Sequence, residues 1–280
     1  MLAPAEMKFA DKGSAALNVE MVFGESTVTS AFATSPMKLL TPHSRGRSVW
    51  AYTSSFGGGL VAGDETRLDV RLDAGTTCFL GTQASTKVYR NPARQPCGHI
   101  THARLDANSL LVFAPDPVQA FAESCYTQRQ EFHLASGAGL TLVDWFSSGR
   151  SACGERWKFS LFDSRNQVFV DSQCVLLDSL KLDPADGPLD APHRTGRFNC
   201  MAVLALVGAP LREIAARLLE AISSRPVERR AALVCSASPI REGTLLRVAG
   251  ESVEQVGREL HNHLKFLAAL LGDDPWARKW

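Results

Sequence analysis

Apolar and polar residues alternate along most of the chain before residue 185. The clearest run is Thr66-Arg67-Leu68-Asp69-Val70-Arg71-Leu72, with apolar residues at 68, 70 and 72. That period of two predicts a half-buried strand. Asp73-Ala74-Gly75 breaks it and Thr76 to Leu80 resumes strand composition, so the stretch reads as strand, tight turn, strand, in the manner of a hairpin. The same reading puts strands at Asn18–Phe23 and Ser26–Thr34 around a Gly24-Glu25 turn, and at Val49–Ser54. Further strands are expected at Ile100–Leu105, Leu110–Phe113, Val118–Phe121, Cys125–Leu134 and Leu140–Phe146. Gln167–Val170 and Gln173–Leu180 read as another hairpin, and Glu155–Phe162 alternates charged with apolar residues. Strands this short and this regularly spaced predict a layered or coiled all-β architecture.

The pattern changes after Asp183–Arg197, a Pro/Gly/Asp-rich stretch that reads as a boundary. Asn199–Val207 is a buried strand, and Pro210 marks a helix start, where a missing N–H costs nothing. Leu211, Ile214, Leu218, Leu219 and Ile222 form a helical stripe. Ala231–Cys235 and Thr244–Val248 are strands. Ser252 with Gln255 forms a capping box for a last helix striped by Val253, Val256, Leu260, Leu264, Leu267 and Leu271, with Gly272 to close it. The expected fold is therefore mainly β with a small α+β C-terminal part and two helices. The division is a flexible N-terminus over 1–17, a mainly β region over 18–185, and an α+β part over 186–280 packed with it as one unit. No internal repeat is evident in the sequence.

Composition narrows the function. The chain has 280 residues, with 30 Lys+Arg against 29 Asp+Glu, a formal net charge of +1. That balance argues against nucleic acid as the main partner. No run of about 18 apolar residues occurs, so no membrane span is expected. The first residues lack the apolar core of a secretory signal. The seven cysteines include no CxxC pair and read as reduced, mostly buried thiols of a cytoplasmic protein.

Candidate chemistry is sparse. Gly57-Gly58-Gly59 and Gly63 invite a phosphate-loop reading, which fails because Asp64 and Glu65 follow where Lys and Ser/Thr are needed. Cys97, His99 and His102 could serve a metal-dependent hydrolase, but on a strand His99 and His102 point to opposite faces. His261 and His263 cannot face one another on a helix, and no GxSxG elbow occurs. Lys87 reads as an ion-pair partner of Asp64 or Asp69. Asp64, Asp144 and Glu155 sit at strand ends beside glycine, tryptophan or arginine. Such carboxylates hold turn amides, or line a polar passage for a hard or borderline cation.

Several blocks together carry a resemblance. Gly58-Gly59-Leu60-Val61-Ala62-Gly63-Asp64 is followed by Thr82-Gln83-Ala84-Ser85-Thr86-Lys87-Val88-Tyr89-Arg90, which is similar to a TQAxTKxYR signature. Leu111 to Pro117, with Pro115 and Pro117, is similar to an LxxLPxPxI segment, with Ala114-Pro115 for Leu-Pro and Val118 for Ile. Asp144-Trp145, Gly149-Arg150, Gly154-Glu155-Arg156 and Pro275-Trp276 complete the set. Over about residues 18–277 the chain resembles the urease accessory protein D family, called H in some bacteria. The resemblance implies a mostly β fold of coiled strands with two helices and a non-enzymatic role in the cytoplasm. It implies a scaffold docked on apo-urease with accessory proteins F and G, where G hydrolyses GTP and nickel passes into urease, and a nickel carrier, protein E, as a further partner. No tightly bound cofactor is implied, only nickel in transit, with Asp64, Asp144 and Glu155 as oxygen ligands along its path. Gly58, Gly59, Gly63, Thr82, Gln83, Thr86, Lys87, Tyr89, Pro115, Pro117, Gly149 and Arg150 would then build the scaffold or a partner surface.

Overall fold

The structure is a computed structural model that describes residues 12–43 and 46–277. Its strands in chain order are β1 (Ser14–Val22), β2 (Glu25–Ala33), β3 (Met37–Leu40), β4 (Val49–Ser55), β5 (Gly59–Leu60), β6 (Glu65–Leu72), β7 (Thr77–Thr82), β8 (Thr86–Val88) and β9 (Cys97–Leu105). They continue as β10 (Leu110–Ala114), β11 (Val118–Ala120), β12 (Cys125–Leu134), β13 (Gly139–Ser147), β14 (Leu161–Val170), β15 (Gln173–Leu182), β16 (Cys200–Gly208), β17 (Leu233–Ile240) and β18 (Gly243–Gly250). The helices are α1 (Arg212–Ser223), α2 (Val253–Leu264) and α3 (Leu267–Leu271).

From β4 onward the chain winds as a coil with three faces. One turn lays down β4, β5 and β6, the next β7, β8 and β9, the next β10, β11 and β12, and the last β13 and β14. Strands of one face stack in parallel: β6, β9, β12 and β14 on the first, β4, β7, β10 and β13 on the second, β5, β8 and β11 on the third. The first sheet is finished at its ends by the antiparallel pairs β1–β2 and β14–β15, with β1 parallel to β6. The second sheet extends through the antiparallel strands β16, β18 and β17. The chain after the Pro/Gly/Asp-rich stretch thus continues the same sheet.

The alternating pattern expects most of these strands, but not all of their partners. β6 and β7 do not pair with each other. They lie in different sheets, and the turn between them is a corner of the coil. Corners stack by backbone hydrogen bonds: Asp73 N donates to Val19 O at 2.9 Å, Asp106 N to Leu72 O at 2.9 Å and Asp171 N to Leu134 O at 3.0 Å. Period two reports that a strand has one buried face, and an Asp/Gly-rich corner has the same composition as a hairpin turn. The hairpins around Gly24 and around 171–172 do form. β1 starts at Ser14, inside the stretch read as flexible, with Ala15 and Leu17 buried; residues 1–11 lie outside the described residues. In the 155–162 stretch only Leu161 and Phe162 are strand, because Trp157 takes a left-handed φ of 55° that breaks an extended run.

Two of the apolar clusters flank the second sheet. Leu68, Leu105, Leu111, Phe132, Leu140 and their neighbours fill the coil between the first and second sheets. On the other side of the second sheet, α1, α2 and α3 bury Leu218, Val256, Leu260 and Leu271 against Val112, Leu204 and Leu246. The last apolar stripe is split between α2 and α3, and Gly272 closes it at φ 84° with its N–H on Ala268 O. The Ser252 hydroxyl accepts from Gln255 N at 3.2 Å. Gln255 Oε1 has no partner among the described residues, so the reciprocal half of the capping box does not form. Trp276 closes the C-terminal segment edge-on against Phe79, with ring centroids 5.6 Å apart.

The in-and-out register of β9 makes a direct prediction. Leu105→Ala, at a side chain 1% exposed, should cost about 2–5 kcal/mol in urea unfolding. Arg104→Ala, next to it on the outer face, should change stability by less than about 0.5 kcal/mol.

Candidate functional site

Parallel stacking puts equivalent positions of successive coils side by side, so the interior of the first sheet is a set of rows. Two of them are polar. Thr66 pairs with His99, His99 with Gln128, and Gln128 with Ser164. One step further along the strands the row is Leu68, Thr101, Gln130, Asn166 and Asp178. Deeper rows are apolar again, as in Val70, Ala103, Phe132 and Val168. On the other side, Cys97, Tyr126 and Phe162 belong to an aromatic cluster with Phe146, Trp157 and Phe159. A polar layer therefore lies inside the coil between two apolar ones.

Asp144 enters this layer from β13 of the facing sheet. Its carboxylate accepts from Gln128 Nε2 at 3.0 Å, Ser164 Oγ at 3.2 Å and Asn166 Nδ2 at 2.7 Å. Gln128 Oε1 in turn accepts from Tyr126 Oη at 2.9 Å. Burial raises the Asp144 carboxyl above the ordinary aspartate range, the three hydrogen bonds oppose this, and the charge of Asp178 adds to it. Asp178 itself pairs with Arg247 at 2.7 Å, at the far side of the layer. A cavity of about 100 Å³ is lined by His99, Gln128, Gln130 and Asp144 inside, and by Thr82 and Thr86 toward the third face. Among the described residues, Gln130 Oε1 and Asn166 Oδ1 are buried without a hydrogen-bond partner, and of these two residues Gln130 lines the cavity. An unsatisfied buried oxygen in the lining of a cavity of this size is a place for water or a cation.

His99 is held at both ring nitrogens. Thr66 Oγ1 lies 2.8 Å from Nδ1, and Thr101 Oγ1 lies 3.0 Å from Nε2. Burial lowers its pKa to about 4, so the ring is neutral at pH 7.

The other two carboxylates lie elsewhere. Asp64 accepts from Val61 N at 2.9 Å and pins the turn before β6. Glu155 accepts from Arg150 Nε at 2.9 Å and from Ala122 N at 3.2 Å, and the Arg150 hydrogen bond leads in holding its carboxyl below the ordinary glutamate range. Of the three, only Asp144 lies in the interior layer. Lys87 is exposed and makes no ion pair among the described residues; Asp69 pairs with Arg67 at 2.8 Å instead, on the outer face. Cys97, His99 and His102 do not converge, because His102 faces outward 3.5 Å from Asp69 while His99 faces the cavity. Among the described residues no group of three His, Cys, Asp or Glu side chains could hold a metal ion. Four of the seven cysteines are buried free thiols.

The glycine block, the Thr82–Arg90 block and the Gly149–Arg156 block meet on the third face. Tyr89 Oη donates to Gly57 O at 2.9 Å, and its ring stands edge-on to Phe121. The Arg150 guanidinium lies 4.3 Å over the Phe121 ring and pairs with Glu155. A Cβ at Gly59 would come within 2.3 Å of Lys87 O, so glycine is what lets β5 lie against β8. Gly149 has φ +103°, and a Cβ there would meet the carbonyls of Ala120 and Glu155. Thr82 Oγ1 donates to Asp116 Oδ2 at 3.0 Å and accepts from Asp116 N at 2.7 Å, tying two coils together at the cavity mouth. Pro115 O accepts from Trp145 Nε1 at 2.8 Å, Pro117 is buried, Gln83 N donates to Thr53 O, and Gly58 and Gly63 have positive φ.

Sequence reasoning missed Thr101, Gln128, Gln130, Ser164 and Asn166. A signal existed: in Tyr126-Thr127-Gln128-Arg129-Gln130-Glu131-Phe132-His133-Leu134 the buried phase carries glutamines between aromatic and aliphatic residues. Polar residues in the buried phase of an alternating strand mark an interior polar contact.

These observations define a β-solenoid with a polar layer and a cavity within the coil. The chain matches the family model described as UreD urease accessory protein over residues 11–280. It is 49% identical over 271 residues to the urease accessory protein UreD of Sorangium cellulosum, covering 96% of this chain and 84% of that one. It is 40% identical to the UreD of Anaeromyxobacter, over 95% of this chain and 89% of that one. It is 34% identical to urease accessory protein D of Arabidopsis thaliana, over 92% and 98%. The chain belongs to the UreD family of urease accessory proteins. No helix among the described residues is long and apolar enough to cross a membrane.

The state of His99 sets a pH dependence. In the unfolded chain it protonates below 6.5, and in the folded protein only near 4. The unfolded state therefore binds more protons in that window, and stability should fall on acidification through it, by about 1–3 kcal/mol. His99→Gln should flatten this part of a stability–pH profile measured by urea titration.

Proposed function

We propose that this protein is a non-enzymatic scaffold that docks on apo-urease with accessory proteins F and G and supports GTP-dependent insertion of nickel, with G hydrolysing the GTP. The single observation that carries the nickel part of this reading is the polar layer around Asp144. Oxygen donors strung along an interior row suit a divalent cation that must bind weakly and leave again, whereas a Cys/His cage would retain it. Nickel is cargo here, and no resident cofactor is required. Protein E fits as a supplier of nickel, and the setting is the cytoplasm. Family membership supports the urease context.

Of the three carboxylates considered, Asp144 fits the passage best. Asp64 and Glu155 are engaged in holding a turn and an arginine.

Co-expression of apo-urease with F and G, with and without this chain, tests the proposal through nickel content and urea hydrolysis. Active urease should appear only when the chain is present; equal maturation without it overturns the reading. Asp144→Ala should lower nickel incorporation by at least about tenfold, the scale of effects seen when groups that tune a metal site are removed. Glu155→Ala should leave incorporation per folded molecule close to wild type.

A further inference from the structure

The hydrogen bonds around His99 fix more than its position. Thr66 Oγ1 lies 3.1 Å from Gly98 O as well as 2.8 Å from His99 Nδ1. A hydroxyl has one proton, and a carbonyl oxygen can only accept. The Thr66 proton therefore goes to Gly98 O, and Thr66 Oγ1 accepts from His99 Nδ1–H. An imidazole with its proton on Nδ1 presents a lone pair at Nε2, which Thr101 Oγ1 faces at 3.0 Å and to which its hydroxyl can donate. An Nδ1–H held by an oxygen, which leaves the ring's lone pair on Nε2, is the arrangement that orients a metal-binding histidine.

A second observation points to a ligand at the same place. Gln130, next to Thr101 in the polar row, is 3% exposed, lines the cavity, and has no partner for Oε1 among the described residues. Gln128, paired with His99, and Asp144 line the same cavity. One imidazole nitrogen among amide and carboxylate oxygens suits nickel, cobalt, copper or zinc, whereas magnesium and calcium prefer oxygen alone.

We propose that His99 Nε2 is a nitrogen donor for a borderline divalent cation in this cavity, with the Thr101 hydroxyl competing for its lone pair, so that the site selects such cations over magnesium while holding them weakly. The inference rests on the nickel-handling reading and gives its passage a specificity-determining residue. The Thr101 hydroxyl sets the exchange: it rotates onto Nε2 when the cation leaves and away when one arrives. A group that replaces the cation at the nitrogen keeps the buried lone pair satisfied in both states.

The test measures Ni²⁺ and Mg²⁺ binding to the purified full chain by calorimetric titration. His99→Gln should weaken Ni²⁺ binding by at least about tenfold and leave Mg²⁺ unchanged. Thr101→Val, which keeps the shape and removes the competing hydroxyl, should tighten Ni²⁺ binding by about threefold to tenfold. A gain of affinity cannot come from misfolding. His102→Gln, on the outer face, should match wild type. In Cu²⁺-loaded protein, nitrogen hyperfine splitting in the electron paramagnetic resonance spectrum should be present in wild type and lost in His99→Gln. Equal Ni²⁺ affinity in wild type, His99→Gln and Thr101→Val overturns the proposal. If that result comes with normal urease maturation in the co-expression assay, the scaffold reading survives alone; if maturation also proceeds without the chain, both fail.

Discussion

Parallel register is the constraint on which the rest of this molecule depends. Once β6, β9, β12 and β14 stack in step, every inward residue has a counterpart on the next coil, and the interior is decided row by row. Apolar rows pack as in any core. A polar row is stable only if its members bond to each other or to something facing them, since an unpaired buried polar group costs about 1–3 kcal/mol. The row from Thr66 to Ser164 meets this by linking Thr66 to His99 and Gln128 to Ser164, and Asp144 reaches across from the facing sheet to bind three donors. The next row does not close among the described residues: Gln130 Oε1 and Asn166 Oδ1 remain open. Incomplete satisfaction at Gln130, in the cavity lining, sets this layer apart from a polar core whose members all bond to one another.

The third face answers a different need. Its strands are two or three residues long, too short to hold a coil by ladder hydrogen bonds alone. Side chains supply the remainder. Tyr89, Phe121, Arg150 and Glu155 form one chain of contacts that runs back to the glycines at the start of β5. Residues that look chemical in the sequence, because they are polar and crowded among glycines, close the coil around its cavity.

Much of the fold was legible in the sequence. Alternation located the strands of the coil, as in Cys125–Leu134, and the last helix was visible from its stripe, its Ser252 cap and Gly272. Partner choice was not, because an Asp-Ala-Gly corner and a hairpin turn share residues, so β6 and β7 read as a pair although each pairs with other coils. The coil itself was invisible as a repeat: stacked positions are filled by His99, Gln128 and Ser164, which share polarity and nothing else. The site was only partly legible. Asp144 was singled out from its motif, but its partners come from β12 and β14, and only the stacking of coils brings them to it. Asp64 and Glu155 share its chemical type and not its surroundings.

The polar layer also bears on how the chain finds its fold. Coils without a sequence repeat have no side-chain identity to keep them in step, and an apolar interior tolerates slippage because one leucine packs nearly as well as the next. A slip of two residues between β9 and β12 would set Thr101 opposite Phe132 in place of Gln130, and Ala103 opposite Leu134. It would also set His99 opposite Gln130 and Gln128 opposite Cys97, breaking the present row and leaving the Thr101 hydroxyl facing hydrocarbon. Misaligned windings of the chain are thus penalised by the same side chains that line the cavity, which serve as an alignment key during folding.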